Sequence, residues 1–260
     1  MAIIQFKNIS IHFKKQGKGK TNVVLLHGFL ESLEIWKDYS KELAKSHTVI
    51  SIDLLGHGQS QCLAYVHQME EMAEAVDAVL RELDVRKAVF VGHSLGGYVA
   101  LAYAECYVHK VKGLCLFNSN AAADSATKKQ DRLRAIEVVK KSHELFIKMA
   151  IPNLFYHPEP YKKQIAQTLK IALKTPKQGI IAAISGMRQR MNREVVVRFA
   201  PYPVFYVIGK HDTVVPYEMA LSQAKLAKDH SYYLSENGGH MCFFEDEEAL
   251  AKLEEFIREC

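Results

Sequence analysis

The chain has 260 residues, 48% hydrophobic and 24% charged, with 14 Gly, 7 Pro and a net charge of +5. That composition belongs to an ordinary globular protein, and collagen-like, low-complexity and disordered readings are excluded. No apolar run reaches the ~18 residues that would span a bilayer, and +5 with no recognised binding module argues against nucleic acid as a partner.

In chain order, the stretch Ala2–Lys15 alternates like a strand and lacks the long apolar core of a secretory leader. With Asn8 at the junction, its two halves are expected to form an antiparallel hairpin at one sheet edge. Strand candidates follow at Ile9–Phe13, Val23–His27, Val49–Asp53, Ala88–Gly92 and Gly113–Asn118. Several are unbroken apolar runs, the pattern of strands buried on both faces of a parallel sheet. Helix candidates alternate with them at Leu33–Ala44, Met69–Leu83 and Leu95–Cys106. After Asn118 the alternation stops, and only helical periodicity is visible until about Glu194. Ile180, Ile184, Met187 and Met191 make one helical stripe, and Pro152, Pro158, Pro160 and Pro176 divide the stretch into about four helices. The pattern resumes with strand Val204–Gly209, helix Tyr217–Lys228, strand Ser231–Leu234 and helix Asp246–Glu259.

This order predicts an α/β fold, a doubly wound and mostly parallel sheet with an all-helical lid insertion. The core is 1–120 and 197–260, and the lid is 121–196. Charge is uneven: residues 120–196 hold 15 Lys/Arg against 6 Asp/Glu. Solvated helix faces explain that excess in the plainest way. The five cysteines are odd in number and form no CxxC pair, which predicts reduced thiols, a cytoplasmic setting and no zinc site.

The strongest chemical signal is Gly92-His93-Ser94-Leu95-Gly96-Gly97. It contains G-x-S-x-G between a strand candidate and a helix candidate, the context in which a sharp turn lifts a serine hydroxyl clear of the sheet. Gly92 and Gly96 leave room for the backbones to pass. Serine is a weak nucleophile at neutral pH and requires a base that is oriented by an acid. His240 follows the last strand and two glycines. Asp212 follows Val204–Gly209, and the order Ser94, Asp212, His240 is the one this motif takes. His12, His47, His67, His109, His143, His157 and His230 lack strand-end context and are read as surface or capping groups. Asp53 also ends a strand, but it precedes the serine and more plausibly shapes the Gly56–Gly58 turn. The strand-end position at Asn118 offers no carboxylate. The oxyanion donors are expected to be the amides of Leu95 and of Phe29, in the His27-Gly28-Phe29 loop.

The His27-Gly28-Phe29 loop, the Asp53–Gly58 run, the serine elbow, Gly209–Asp212 and Gly239-His240 together resemble the α/β-hydrolase superfamily over nearly the whole chain. Within it the sequence is similar to small esterases, enol-lactone hydrolases and pimeloyl-carrier-protein methyl esterases. The resemblance implies a Ser94–His240–Asp212 triad with Phe29 and Leu95 amides as the oxyanion hole. Haloalkane dehalogenases share the fold but use an aspartate nucleophile, which Ser94 excludes.

The sequence therefore predicts a serine hydrolase of carboxylic esters or lactones that works through an acyl-enzyme on a small-molecule substrate, with no cofactor and no metal. A slow, receptor-like hydrolase that senses a ligand is the alternative from another class, and thioesterase or carbon–carbon hydrolase chemistry is the alternative within the fold. Phe29, Leu30, Trp36, Leu95, Val214 and Met241 flank motif positions, while Met149, Phe155, Ile184 and Met187 lie in the lid. Together they predict an apolar pocket for short to medium acyl groups. Lys128, Lys129, Arg132, Arg134, Arg188, Arg190 and Arg193 make the lid basic. An acidic carrier protein or an anionic small substrate would be steered by that charge.

Overall fold

Residues 2–260 are described by a computed structural model. β1 (Ala2–Phe6) and β2 (Ile9–Gln16) pair antiparallel. Lys7 and Asn8 between them take positive φ, +47° and +68°, the turn geometry whose twist suits a two-residue hairpin. Then come β3 (Asn22–Leu26), α1 (Lys37–Leu43), β4 (Thr48–Ile52), α2 (Met69–Glu82), β5 (Ala88–His93), α3 (Leu95–Cys106) and β6 (Val111–Phe117). The helical stretch contains α4 (Ala126–Ala150), α5 (Lys162–Ala172), α6 (Lys177–Gln189) and α7 (Glu194–Arg198). The chain closes with β7 (Val204–Gly209), α8 (Tyr217–Ala224), β8 (His230–Ser235), α9 (Cys242–Glu245) and α10 (Glu248–Glu259).

The eight strands form one sheet in the order β1-β2-β4-β3-β5-β6-β7-β8. The pairs β1·β2 and β2·β4 are antiparallel and all others parallel. The hairpin therefore sits at one edge of a parallel sheet, as the alternation predicts. Successive strand residues point to opposite faces, and in the central strands β4, β3, β5, β6 and β7 both faces are buried. Val24, Leu26, Ile50, Ile52 and Phe90 join the core that contains α2 and α3. Val23, Leu25, Val49, Val89 and Val91 join a second core with Trp36, Leu43 and α10.

The parallel strands carry their C-terminal ends to one rim, where ligands bind in open α/β sheets. β3 delivers the His27 loop there, β5 delivers Ser94, β6 delivers Asn118 and β7 leads to Asp212. His240 follows β8.

The segment between β6 and β7 is helical, and it departs from the sequence reading in detail. α4 breaks at Ser142 (φ −155°, ψ 85°) rather than at a proline. Ile180, Ile184 and Met187 are buried, but Met191 is exposed because α6 has already ended at Gln189. α6 is docked on the core through backbone contact. The His67 amide donates to the Ala182 carbonyl at 3.1 Å, and a Cβ on Gly186 would lie 1.7 Å from the His67 carbonyl oxygen.

Three of the histidines read as surface or capping groups are buried: His12, His47 and His67, of which His67 does cap backbone amides. His12 Nδ1 meets Asp53 Oδ2 at 2.7 Å, and His67 Nε2 accepts the Leu63 amide at 3.2 Å. Their tertiary partners lie far along the chain or across a loop, and a local sequence window does not contain them. No helix among the described residues is long and apolar enough to cross a membrane.

Gly186→Ala should lower stability by about 1–3 kcal/mol, the usual cost of overpacking, because the clash is with backbone. Ser185→Ala, one position away, should change it by less than about 0.5 kcal/mol. Thermal melts of the two variants check this.

Candidate active site

Ser94 joins β5 to α3 with φ +49° and ψ −111°, a conformation that costs a non-glycine residue of order 1–3 kcal/mol. The surroundings enforce it. The Ser94 amide donates to the Phe117 carbonyl at 3.0 Å, and its own carbonyl accepts from Gly97 N at 3.0 Å and Ser119 Oγ at 2.8 Å. A Cβ on Gly92 would meet the Gly96 carbonyl at 2.4 Å, so the strand and the helix can pass only as glycines. Leu95 opens α3, and its amide has no acceptor within the helix.

His240 Nδ1 lies 2.8 Å from Asp212 Oδ2. Asp212 Oδ1 accepts the amides of Val214 (2.8 Å) and Val215 (2.9 Å), and Asn118 Nδ2 donates to Oδ2 at 3.1 Å. Burial alone would raise the Asp212 carboxyl. The adjacent His240 and the two amides outweigh it and hold the group below its ordinary value. The aspartate is therefore a carboxylate acceptor, which fixes the His240 proton on Nδ1 and leaves Nε2 as the basic edge. The loop is fixed too: His240 N donates to the Leu154 carbonyl at 2.9 Å, and Gly239 N donates to Glu245 Oε2 at 2.8 Å.

Asp53 is committed elsewhere. Its carboxylate takes the amides of Leu33 (2.8 Å) and Gln59 (2.9 Å) besides His12, so it shapes the turn around Gly56–Gly58.

A second acid–imidazole pair lies beneath the serine. His93, the residue before Ser94, places Nδ1 3.0 Å from Glu31 Oε2 and Nε2 2.9 Å from the His240 carbonyl. Both ring nitrogens face acceptors, so both must donate, and the ring is a cation. Burial opposes that charge, but Glu31 and the His240 carbonyl raise the His93 pKa above its ordinary value. Glu31 is held low in turn, since the charged His93 beside it and the Gly28 amide outweigh its burial. Glu31 Oε2 also accepts the Gly28 amide. Sequence reading missed this pair, although the signal was present: His93 fills the first variable position of G-x-S-x-G, and Glu31 stands three residues after Gly28. The neighbouring His27 is neutral. Its Nε2 accepts the Leu54 amide at 2.9 Å, Nδ1 donates to the Gly28 carbonyl at 2.7 Å, and burial lowers its pKa.

Above the serine is a cavity of about 160 Å³ lined by Ser94, His240, Phe29, Leu30, Met187 and Val214. The remaining sequence-derived pocket residues lie elsewhere, Leu95 and Ile184 among them, both buried in the core that contains α2 and α3. Trp36 and Met241 are fully buried in the core on the far face of the sheet, and Phe155 packs on Tyr161 and Phe244. Met149 is 64% exposed. Being next to a motif in sequence does not bring a side chain to the rim, because alternate residues leave the turn in opposite directions. Phe146, Ala150 and Leu154 do line the cavity; Phe146 and Ala150 are one helical turn apart on α4, and that spacing was the available clue, while Leu154 lies past the end of the helix. Lys128 and Arg132 line it as well. Arg190 and Arg193 are not free surface cations: Arg190 pairs with Asp124, and Arg193 pairs with Glu70 and Glu105. Among the described residues no cluster of His, Cys, Asp and Glu could hold a metal ion.

The model of a family described by the α/β-hydrolase fold matches residues 21–247. The dihydrolipoyllysine-residue acetyltransferase component of an acetoin cleaving system from Pseudomonas putida is 28% identical over 92% of this chain. The chain spans 63% of that relative's length. A putative non-heme haloperoxidase of Mycobacterium phage D29 is 25% identical, over 89% of this chain and 85% of its own. Among solved structures, a thermophilic esterase from Thermogutta terrifontis, studied with malate bound, superposes with a TM-score of 0.91 at 29% identity. That match covers 96% of this chain and 94% of the esterase. An enol-lactonase from Burkholderia xenovorans superposes at 0.92 with 18% identity, over 99% and 100% of the two chains, a likeness of fold.

The Glu31–His93 pair has a defined pH signature. The lowered Glu31 pKa contributes stability that is complete above its ordinary 4.5 and lost as pH falls through the folded value. The raised His93 pKa contributes stability that is complete below 6.5 and lost as pH rises through the folded value. Glu31→Gln strands a buried cation and should cost about 3 kcal/mol or more. The melting-temperature gap between wild type and variant should be widest between pH 4.5 and 6.5 and narrower in alkaline buffer. Calorimetry across that range measures it.

Proposed function

The chain belongs to the α/β-hydrolase family, and from that premise we propose that it is a serine hydrolase of carboxylic esters or lactones. Ser94 is the nucleophile, His240 the base and Asp212 the orienting acid. The observation that carries the reading is the convergence of an elbow serine and a carboxylate-oriented imidazole on one cavity.

In this mechanism Ser94 Oγ attacks the carbonyl carbon while its proton passes to His240 Nε2. The oxyanion that forms is held by the amides of Leu95 and Phe29. Collapse of the tetrahedral species breaks the ester C–O bond, and His240 returns the proton to the leaving alkoxide. Water then attacks the acyl-enzyme, gives a proton to His240, and the acid leaves as Ser94 recovers its own. Asp212 keeps the imidazole in the one tautomer and orientation that serve both halves.

Residues 121–196 act as a lid in this reading. α4 and α6 contribute Phe146 and Met187 to an apolar roof, which excludes water and strengthens the oxyanion contacts. The cavity volume is below the ~300–1,000 Å³ of pockets for drug-sized ligands, so short acyl groups fit best. An acidic carrier protein delivering the acyl group would meet Lys129, Arg134 and Arg188, since Arg190 and Arg193 are committed to internal ion pairs.

With p-nitrophenyl butyrate, Ser94→Ala and His240→Ala should each lower kcat/KM by about 10⁴-fold or more. Asp212→Asn should lose about 10³- to 10⁴-fold through the wrong tautomer, with folding intact by circular dichroism. A fluorophosphonate probe should label Ser94 alone. A near-normal rate for Asp212→Asn would overturn the acid assignment, and labelling without turnover of any ester would favour the ligand-sensing alternative.

A further inference from the structure

The cavity lining carries charge that ester hydrolysis does not need. Lys128 and Arg132 lie one helical turn apart on α4, on one face, and both line the cavity that contains Ser94. The nearby carboxylates are already taken. Asp124, buried, pairs with both Arg132 and Arg190, and Asp131 pairs with Arg134. Two guanidinium groups thus share one carboxylate, leaving a positive charge in excess. Arg190 also stacks on Tyr98, with its guanidinium carbon 4.1 Å from the ring centroid, which leaves Arg132 as the member of the cluster on the cavity side. The Lys128 side chain is half-buried and has no carboxylate partner among the described residues. The one carboxylate in the cavity wall, Glu31, is neutralised by His93. Much of the remaining lining is apolar and includes Phe146, Ala150, Ile151, Met187 and Val214.

A half-buried lysine that lines a small, mostly apolar cavity and has no carboxylate partner is matched by an anion bound in that cavity. We propose that Lys128, with Arg132 behind it, is an anion subsite that receives a carboxylate carried by the ester or lactone. This rests on the Ser94 reading and narrows it: the substrate class is the half-ester of a dicarboxylic acid, or an ester or lactone with a carboxylate on its other half. Charge-assisted contacts of this type are short, strong and geometrically selective. They would also orient the carbonyl over Ser94, because the two ends of the molecule would be fixed at once.

Matched substrates test it. Monomethyl glutarate carries the carboxylate on the acyl side, and methyl 5-methylhexanoate is its neutral counterpart of the same shape. The butyryl ester of glycolate carries it on the alcohol side, and isobutyl butyrate is its counterpart. In the wild type, at least one charged member should exceed its neutral partner in kcat/KM by about tenfold or more, the size of one charge-assisted contact, and the pair that does so identifies the side. Lys128→Gln should reduce that ratio by about tenfold, mainly through KM. Lys141→Gln, exposed on the same helix and outside the cavity wall, should change it by less than about twofold, since a surface charge acts only through screened attraction. Ratios near one in both pairs would overturn the subsite while leaving the Ser94 reading intact. Equal effects of the two lysine variants would overturn it in favour of general steering. If Ser94 takes the fluorophosphonate label but none of the four esters is turned over, the ester reading fails separately. Protection of Ser94 from the label by glutarate, weakened about tenfold in Lys128→Gln, would still support the subsite, and absence of protection would overturn it.

Discussion

The buried Glu31–His93 ion pair is the contact on which the geometry of the rim depends, because it joins three loops that leave three different strands. Glu31 takes the Gly28 amide of the loop after β3, His93 precedes the elbow serine after β5, and the His93 ring holds the carbonyl of His240 after β8. Neither partner is appreciably exposed, so each charge is tolerable only beside the other. Removing one therefore does more than delete a contact. It releases the proposed oxyanion loop, the elbow and the histidine loop from a common anchor.

The same rim stores backbone strain. Leu30, Ser94 and Asn118 all take positive φ, between +45° and +63°, and each directly follows or nearly follows a strand of the parallel sheet. Such conformations persist only where the surroundings over-determine them. Here the surroundings are strands with both faces packed, which cannot shift to relieve a turn without disturbing two cores. Asn118 shows what the strain provides: its amide group reaches Asp212 and the Gly239 carbonyl together. A residue without a carboxylate at that strand end thereby positions the carboxylate that comes from the next strand.

The helical insertion is joined to this machinery as well as covering it. The Leu154 carbonyl accepts the His240 amide, and Glu245 takes the amides of Tyr156 and Gly239. Arg193 donates from its backbone to Ala121 at 2.7 Å and from its side chain to Glu105 and Glu70, which closes the insertion against α2 and α3. Much of the positive charge that looks like a surface property is thus structural. What remains at the cavity is Lys128 and the excess shared by Arg132 and Arg190. The break at Ser142 lets the two arms of α4 both reach the cavity, Lys128 and Arg132 from the first and Phe146 and Ala150 from the second.

The sequence by itself determined the sheet, the helical insertion and the rim positions of Ser94, Asp212 and His240, because each is encoded locally. Apolar runs mark doubly buried strands, glycines mark the elbow, and strand ends place whatever residue follows them. It did not determine which side chains meet across the rim. Phe29, Leu30, Met187 and Val214 reach the cavity while Trp36, Met149, Phe155 and Met241 do not, although all flank the same motifs or lie in the same insertion. That choice depends on which face each residue leaves by and where α4 bends, and neither is set within a local window. The Glu31–His93 pair spans 62 residues and the His93–His240 contact 147. Only a packed sheet brings such positions within hydrogen-bonding distance, so the chemistry of the rim was decided by tertiary structure.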